Sequence, residues 1–202
     1  MHKDYACSRQ HILDTAAPII QGKGYAAVGL AEILKAAGVP KGSFYHYFKS
    51  KEAFGQALLE SYFDSYLSRL QAILTDCHGG TAAQRLMRYW QLWVETQSAE
   101  GTEHKCMVVK LGAEVSDLSD PMRQALAQGT AQVIRQLRDC VDEGIADGSL
   151  PADLDAAQTA QSLYELWLGA TMLTKVRRDR SALETALRTT QLLLRLPPQP
   201  AA

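Results

Sequence analysis

Tyr45, His46 and Tyr47 stand in a row, with Lys41, Gly42 and Ser43 close before them and Lys49 and Lys51 close after. Phenol, imidazole, hydroxyl and ammonium groups at this density can grip phosphate oxygens and touch base edges. Their chemistry is recognition rather than bond making. Cys106 offers a different chemistry. It follows Gly101-Thr102-Glu103-His104-Lys105, precedes Lys110, and sits where a helix is expected to begin. Unpaired amides at a helix start and neighbouring cations favour the thiolate, the form that attacks electrophiles and oxidants. Glu103 opposes this, and a cysteine packed beside Met107 and Val108 is inert filling instead. On residues alone both readings of Cys106 stand. Trp90 and Trp93, three apart, are a third candidate, lining an aromatic pocket with Met107 or simply filling the core.

Other chemistries find little support. Cys7, Cys77, Cys106 and Cys140 are widely spaced without a CxxC pair, so neither a metal site nor structural disulfides are expected. There is no Cys-His-Asn set, no Gly-rich phosphate loop and no paired-carboxylate motif, so neither an enzyme nor a cofactor is expected. The competing readings are an enzyme with Cys106 as nucleophile helped by His104 or Lys110, and a helical interaction module that never meets DNA.

The elements that must position these groups are helical throughout. Leu30, Ile33, Leu34 and Ala37 recur at helical spacing, Gly38 suits a helix end and Pro40 the start of the next. Phe44 and Phe48 share the inward face of that short helix. A first helix over Cys7–Gly24, with Ser8 as N-cap, carries Ile12, Leu13, Ala16, Ile19 and Ile20 inward, and Pro18 predicts a kink or a lost hydrogen bond. A long helix runs from Ser50 to Leu74. Further helices are expected over Thr81–Ser98, Cys106–Glu114, Met122–Glu143, Asp155–Lys175 and Arg180–Leu194, with a loop at 98–104 and a Pro-rich tail. The penultimate helix is apolar on more than one side, through Leu163, Leu166, Trp167 and Ala170. Such a helix needs two neighbours, one of which can belong to a second subunit. The expected fold is all-α, about nine helices, divided into a DNA-binding domain at 1–50 and an effector-sensing and dimerisation domain at 51–202.

Charge supports one DNA-facing end. Of 21 Lys and Arg and 22 Asp and Glu, residues 1–52 hold seven against four, leaving fourteen against eighteen in the rest. A basic head on an acidic body suits docking on nucleic acid by one end. No apolar run is long enough to span a membrane and the first residues are polar, so a cytoplasmic protein is expected.

Gly24-Tyr25, Leu30-Ala31-Glu32-Ile33-Leu34, Ala37-Gly38-Val39, Lys41-Gly42-Ser43-Phe44-Tyr45 and Phe48-Lys49-Ser50-Lys51-Glu52 resemble the N-terminal domain of the TetR family of regulators. The resemblance implies a three-helix helix-turn-helix head whose recognition helix is Lys41–Phe48, with phosphate contacts from Tyr45 and Lys51. Pro40 and Gly29 stand where the family often has capping Ser or Thr. It also implies a homodimer through the last two helices, and hence a near-palindromic double-stranded operator. Val109-Lys110-Leu111, Ala113-Glu114-Val115, Asp117-Leu118-Ser119 and Leu166-Trp167-Leu168-Gly169-Ala170 are similar to an electrophile- and oxidant-sensing subgroup of repressors in that family. That similarity implies Cys106 as the sensor and Lys175 as its partner. Ser116 stands where some relatives carry a second cysteine. The alternative within the family is a reversible aromatic or lipophilic ligand held by Trp90, Trp93 and Met107.

Overall fold

The computed structural model describes residues 2–98 and 105–197, with side chains from residue 8 onward. Among the described residues every regular element is helical: α1 (His2–Lys23), α2 (Leu30–Ala37), α3 (Lys41–Tyr47), α4 (Lys51–Leu74), α5 (Ala82–Ser98), α6 (Met107–Leu118), α7 (Asp120–Ala146), α8 (Ala156–Arg177) and α9 (Ser181–Leu193). The all-α expectation holds. The expected 98–104 loop with Glu103 and His104, the end of the Pro-rich tail and the Cys7 side chain lie outside the described residues. No helix among the described residues is long and apolar enough to cross a membrane, and no cluster of His, Cys, Asp or Glu there could hold a metal ion.

Several boundaries differ from expectation. α1 begins at His2 rather than Cys7, because no glycine or proline lies between His2 and Ser8 to stop it, and Pro18 lies inside it. α6 runs one turn past Glu114 to Leu118, and only Ser119 separates it from α7. Pro121 falls in the first turn of α7, where its missing N–H costs nothing.

The chain forms two compact units, Met1–Ser65 with Gly101–Gly129, and Tyr66–Glu100 with Thr130–Ala202. In the first, α1 packs on α2 and α6, and α2 on α3. Its core holds Ile12, Leu13, Ala16 and Ile20 of α1, Ile33 of α2, Phe44 of α3 and Phe54 and Leu59 of α4, with Met107 and Val115 of α6. Gly38 ends α2 in the left-handed region at φ 65°, donating to Leu34 and Lys35 carbonyls, a conformation open to glycine at no cost.

In the second unit α9 packs on α8 and α5. Trp90 of α5 stacks on Trp167 of α8 with centroids 4.7 Å apart and planes 9° from parallel. Trp93 Nε1 donates to Thr171 Oγ1 and Trp167 Nε1 to Thr190 Oγ1, each over 2.9 Å. The start of α5 is capped from afar. Asp147 accepts from Ala82 N at 2.9 Å and Ser149 Oγ from Ala83 N at 3.2 Å. Buried Arg85 spans the α4–α5 connection, reaching Leu74 O, Gly80 O and Glu143.

Candidate DNA interface and sensor helix

α3 has seven residues, too few to hold a helix in water without support from its neighbours. Its support is aromatic. Phe44 is fully buried and meets Phe48 at 5.2 Å and Phe54 of α4 at 5.5 Å, while Phe48 meets Phe54 edge-on at 5.2 Å. The Arg9 guanidinium lies 5.2 Å from the centre of the Phe48 ring. With Phe44 and Phe48 inward, Lys41, Gly42, Tyr45, His46 and Lys49 are exposed, and Ser43 and Tyr47 partly so. Tyr45 is 48% exposed. Lys41, Gly42, Ser43, Tyr45, His46 and Tyr47 thus lie on one accessible helix, with Lys49 just beyond its end and Lys51 at the start of α4.

Lys51 is partly buried at the start of α4. Its ammonium donates to Tyr25 O over 3.2 Å and sits 4.8 Å from the centre of the Tyr25 ring, while the Tyr25 hydroxyl donates to Lys51 O over 2.5 Å. An ammonium has three donors, so this contact leaves two for a phosphate. Burial, then the nearby Glu52 and Glu114 carboxylates, push the Tyr25 phenol up to about 12.

α6 is tied to this head within the first unit. Gln21 Nε2 donates to Lys105 O over 2.8 Å and Lys110 Nζ to Gly22 O over 3.1 Å. Glu114 accepts from Ala26 N at 2.5 Å and from Tyr25 N at 3.2 Å, and Ser119 Oγ donates to Glu52 on α4 over 2.6 Å. Cys106 is the N-cap residue of α6, in extended backbone and only 4% exposed. The Met107 amide that follows it donates to the Tyr62 hydroxyl over 3.4 Å. Lys110, expected to favour a Cys106 thiolate, is turned to the end of α1 instead. Burial holds the Lys105 ammonium below its ordinary range.

The second unit holds the rest. Trp90 and Trp93 meet at 5.7 Å, with Tyr89 and Tyr164 at Trp93. Met107, expected beside them, belongs to the first unit. Trp90 Nε1 and Thr174 Oγ1 are buried without a hydrogen-bond partner. Leu163, Trp167 and Ala170, expected to face another subunit, are instead buried within the chain because α5 and α9 claim that side of α8. Leu166 is half-buried, and the large exposed apolar side chains of α8 and α9 are Met172, Leu173, Val176, Leu192 and Leu193. Lys175, near the C-terminal end of α8, is exposed.

Residues 12–58 match the model of the bacterial regulatory proteins of the tetR family, and residues 82–190 that of the tetracyclin repressor-like C-terminal domain. The chain belongs to the TetR family. The HTH-type transcriptional repressor NemR of Escherichia coli K12 is 42% identical over 180 residues, which cover 89% of this chain and 90% of NemR. The transcriptional regulator AcuR of Cereibacter sphaeroides is 36% identical over 92% of this chain and 84% of its own. The crystal structure of the reduced form of E. coli NemR matches with a TM-score of 0.86 at 41% identity, over 96% of this chain and 99% of that one.

As a TetR-family head, this one departs at two caps. Gly29 and Pro40 precede α2 and α3, and neither makes a side-chain capping bond. The sequence did not show what Glu114 and Trp167 would meet. Glu114 is one acidic residue on a half-buried helix, with nothing local to mark its partners. Trp167 was legible as an apolar contact, but the ring it stacks on was not.

Proposed function

We propose that the chain is a TetR-family transcriptional repressor that binds a near-palindromic operator as a homodimer, the state typical of the family, and releases it when an electrophile or oxidant modifies Cys106. The observation that carries this reading is the placement of Cys106. It is a buried residue at the first amides of α6, and α6 is hydrogen-bonded to the turn that enters the helix-turn-helix. Helix-start amides favour a thiolate, and a buried thiol has no room for an adduct, so modification must displace α6. The likeness to NemR, a repressor whose solved structure is of its reduced form, supports it. The DNA end uses Lys41, Gly42, Ser43, Tyr45, His46, Tyr47 and Lys51, on a head carrying net positive charge. Lys175, implied by the resemblance as the partner of the modified cysteine, belongs to the second unit and Cys106 to the first.

The test is binding of the reduced protein to its own upstream DNA, before and after a maleimide. Salt-dependent binding is expected, lost on alkylation of the wild type and kept in Cys106→Ser. Equal loss in Cys106→Ser would sink Cys106 as the sensor, since a maleimide also reaches the exposed thiol of Cys77. A second reading is favoured by the Trp90 indole N–H, buried without an acceptor beside the Trp167 stack. It is a repressor released by a reversible aromatic ligand carrying a hydrogen-bond acceptor. That ligand would quench tryptophan emission and release DNA from wild type and Cys106→Ser alike.

A further inference from the structure

Among the described residues, three hydrogen-bonded ties run from α6 and the residue before its N-cap to the end of α1 and the turn after it, and they differ in kind. Two of them, at Lys105 O and at Lys110, run through the end of a long side chain, of Gln21 or Lys110, that can swing while the backbone stays. Glu114 commits both oxygens of one carboxylate to two successive backbone amides, Ala26 N at 2.5 Å and Tyr25 N at 3.2 Å. These amides belong to the turn between α1 and α2, so whatever moves the carboxylate moves main chain at the entrance to the helix-turn-helix. Charge-assisted bonds to backbone amides are about twice as strong as neutral ones. Gly24 makes the approach possible. Its φ of 97° lies in the left-handed region, and a β-carbon there would sit 3.1 Å from Glu114 Oε2. On the far side, Tyr25 passes the constraint to α4 through its hydroxyl on Lys51 O.

We propose that Glu114 is the positioning residue that couples the sensor helix to the DNA-binding head. The proposal rests on the reading of Cys106 as sensor. Cys106 and Glu114 lie about 12 Å apart along the helix at 1.5 Å per residue. A hydrogen-bonded helix carries a displacement of its first residue over that distance without dissipating it in side-chain rotation. The carboxylate then drags the Tyr25–Ala26 turn, and α2 and α3 follow. The other ties hold α6 in place but let the head lag behind.

The test compares operator affinity of the reduced and the maleimide-treated full chain for wild type, Cys106→Ser and Glu114→Gln. Glutamine keeps the size and one acceptor but turns an NH2 group toward the second amide. Reduced Glu114→Gln is expected to bind within about threefold of wild type. The weakening on alkylation, about tenfold or more in wild type, is expected to fall below about threefold in Glu114→Gln. A merely structural role would weaken both forms alike and leave the ratio untouched. A ratio in Glu114→Gln equal to wild type overturns the coupling while leaving the thiol reading intact. Release that persists in Cys106→Ser overturns Cys106 as the sensor and the coupling with it. If Glu114→Gln does not fold or bind, amide hydrogen exchange in the wild type decides. Tyr25 and Ala26 amides are expected to stay protected in both reduced and alkylated protein, and exchange at the rate of an unstructured turn in either form overturns the proposal.

Discussion

Tyr25 joins three parts of the first unit through one residue. Its amide meets Glu114 of α6, its carbonyl accepts from Lys51, and its hydroxyl returns a bond to the backbone at the start of α4. Because the folded phenol loses its proton only near 12, against an ordinary 10, the folded state holds that proton more tightly than the unfolded chain. The resulting stability is complete below pH 10 and is lost as pH rises through about 12. Tyr25→Phe is expected to cost about 1 kcal/mol at neutral pH through the lost hydrogen bond, and to flatten the stability loss between pH 10 and 12. Denaturant melts across that range check both. Arg85 does comparable work in the second unit, where one guanidinium, 7% exposed, serves Leu74 O at 2.6 Å, Gly80 O at 2.7 Å and Glu143 at 2.5 Å. Arg85→Ala is expected to lower stability by about 2–3 kcal/mol, because it strips the α4–α5 connection of its donor. Arg85→Lys should recover little of it in the same melts, since an ammonium lacks the planar fork.

At the scale of elements, the recognition helix depends on a small aromatic core and on how α4 is laid against it. Gly55 of α4 lets the Tyr25 ring lie on the helix. A β-carbon at position 55 would fall 2.7 Å from Tyr25 Cε2, far inside contact distance. Gly55→Ala gains helix propensity and still is expected to destabilise by about 1–3 kcal/mol, with weaker operator binding, because overpacking outweighs the propensity term. A calorimetric Tm beside a binding isotherm separates the two effects. α6 is the other decisive element. Periodicity predicted its existence and start, while its length and its attachment to α1 came from partners elsewhere in the chain.

At the scale of the whole molecule, operator binding by a twofold dimer ties DNA affinity to subunit association. Val176 and Leu192 are 71% and 75% exposed, the most exposed large apolar side chains among the described residues of α8 and α9. Val176→Asp with Leu192→Asp is expected to give a folded monomer that binds operator at least about 100-fold more weakly, because each half-site then binds alone. Sedimentation velocity reads the association state, circular dichroism the fold and anisotropy the DNA. A variant that remains dimeric would move the interface off this face.

The features legible without the fold are local ones. The helix-turn-helix was legible because Gly38, the Phe44–Phe48 pair and the apolar spacing of α2 specify shape within a few residues, and because the residues left outside share one chemistry. The all-α class followed from the same 3.6-residue period. Which surface meets which depends on how the helices pack. Periodicity marks a face as apolar without naming its neighbour, so Trp167 and Leu163 read equally well as core or interface until α5 and α9 were seen to cover them. Hydrogen bonds between distant residues leave no periodic trace at all. Glu114 and Ala26 are 88 positions apart, and the bond between them exists only because packing α6 against α1 brings a carboxylate to two backbone amides.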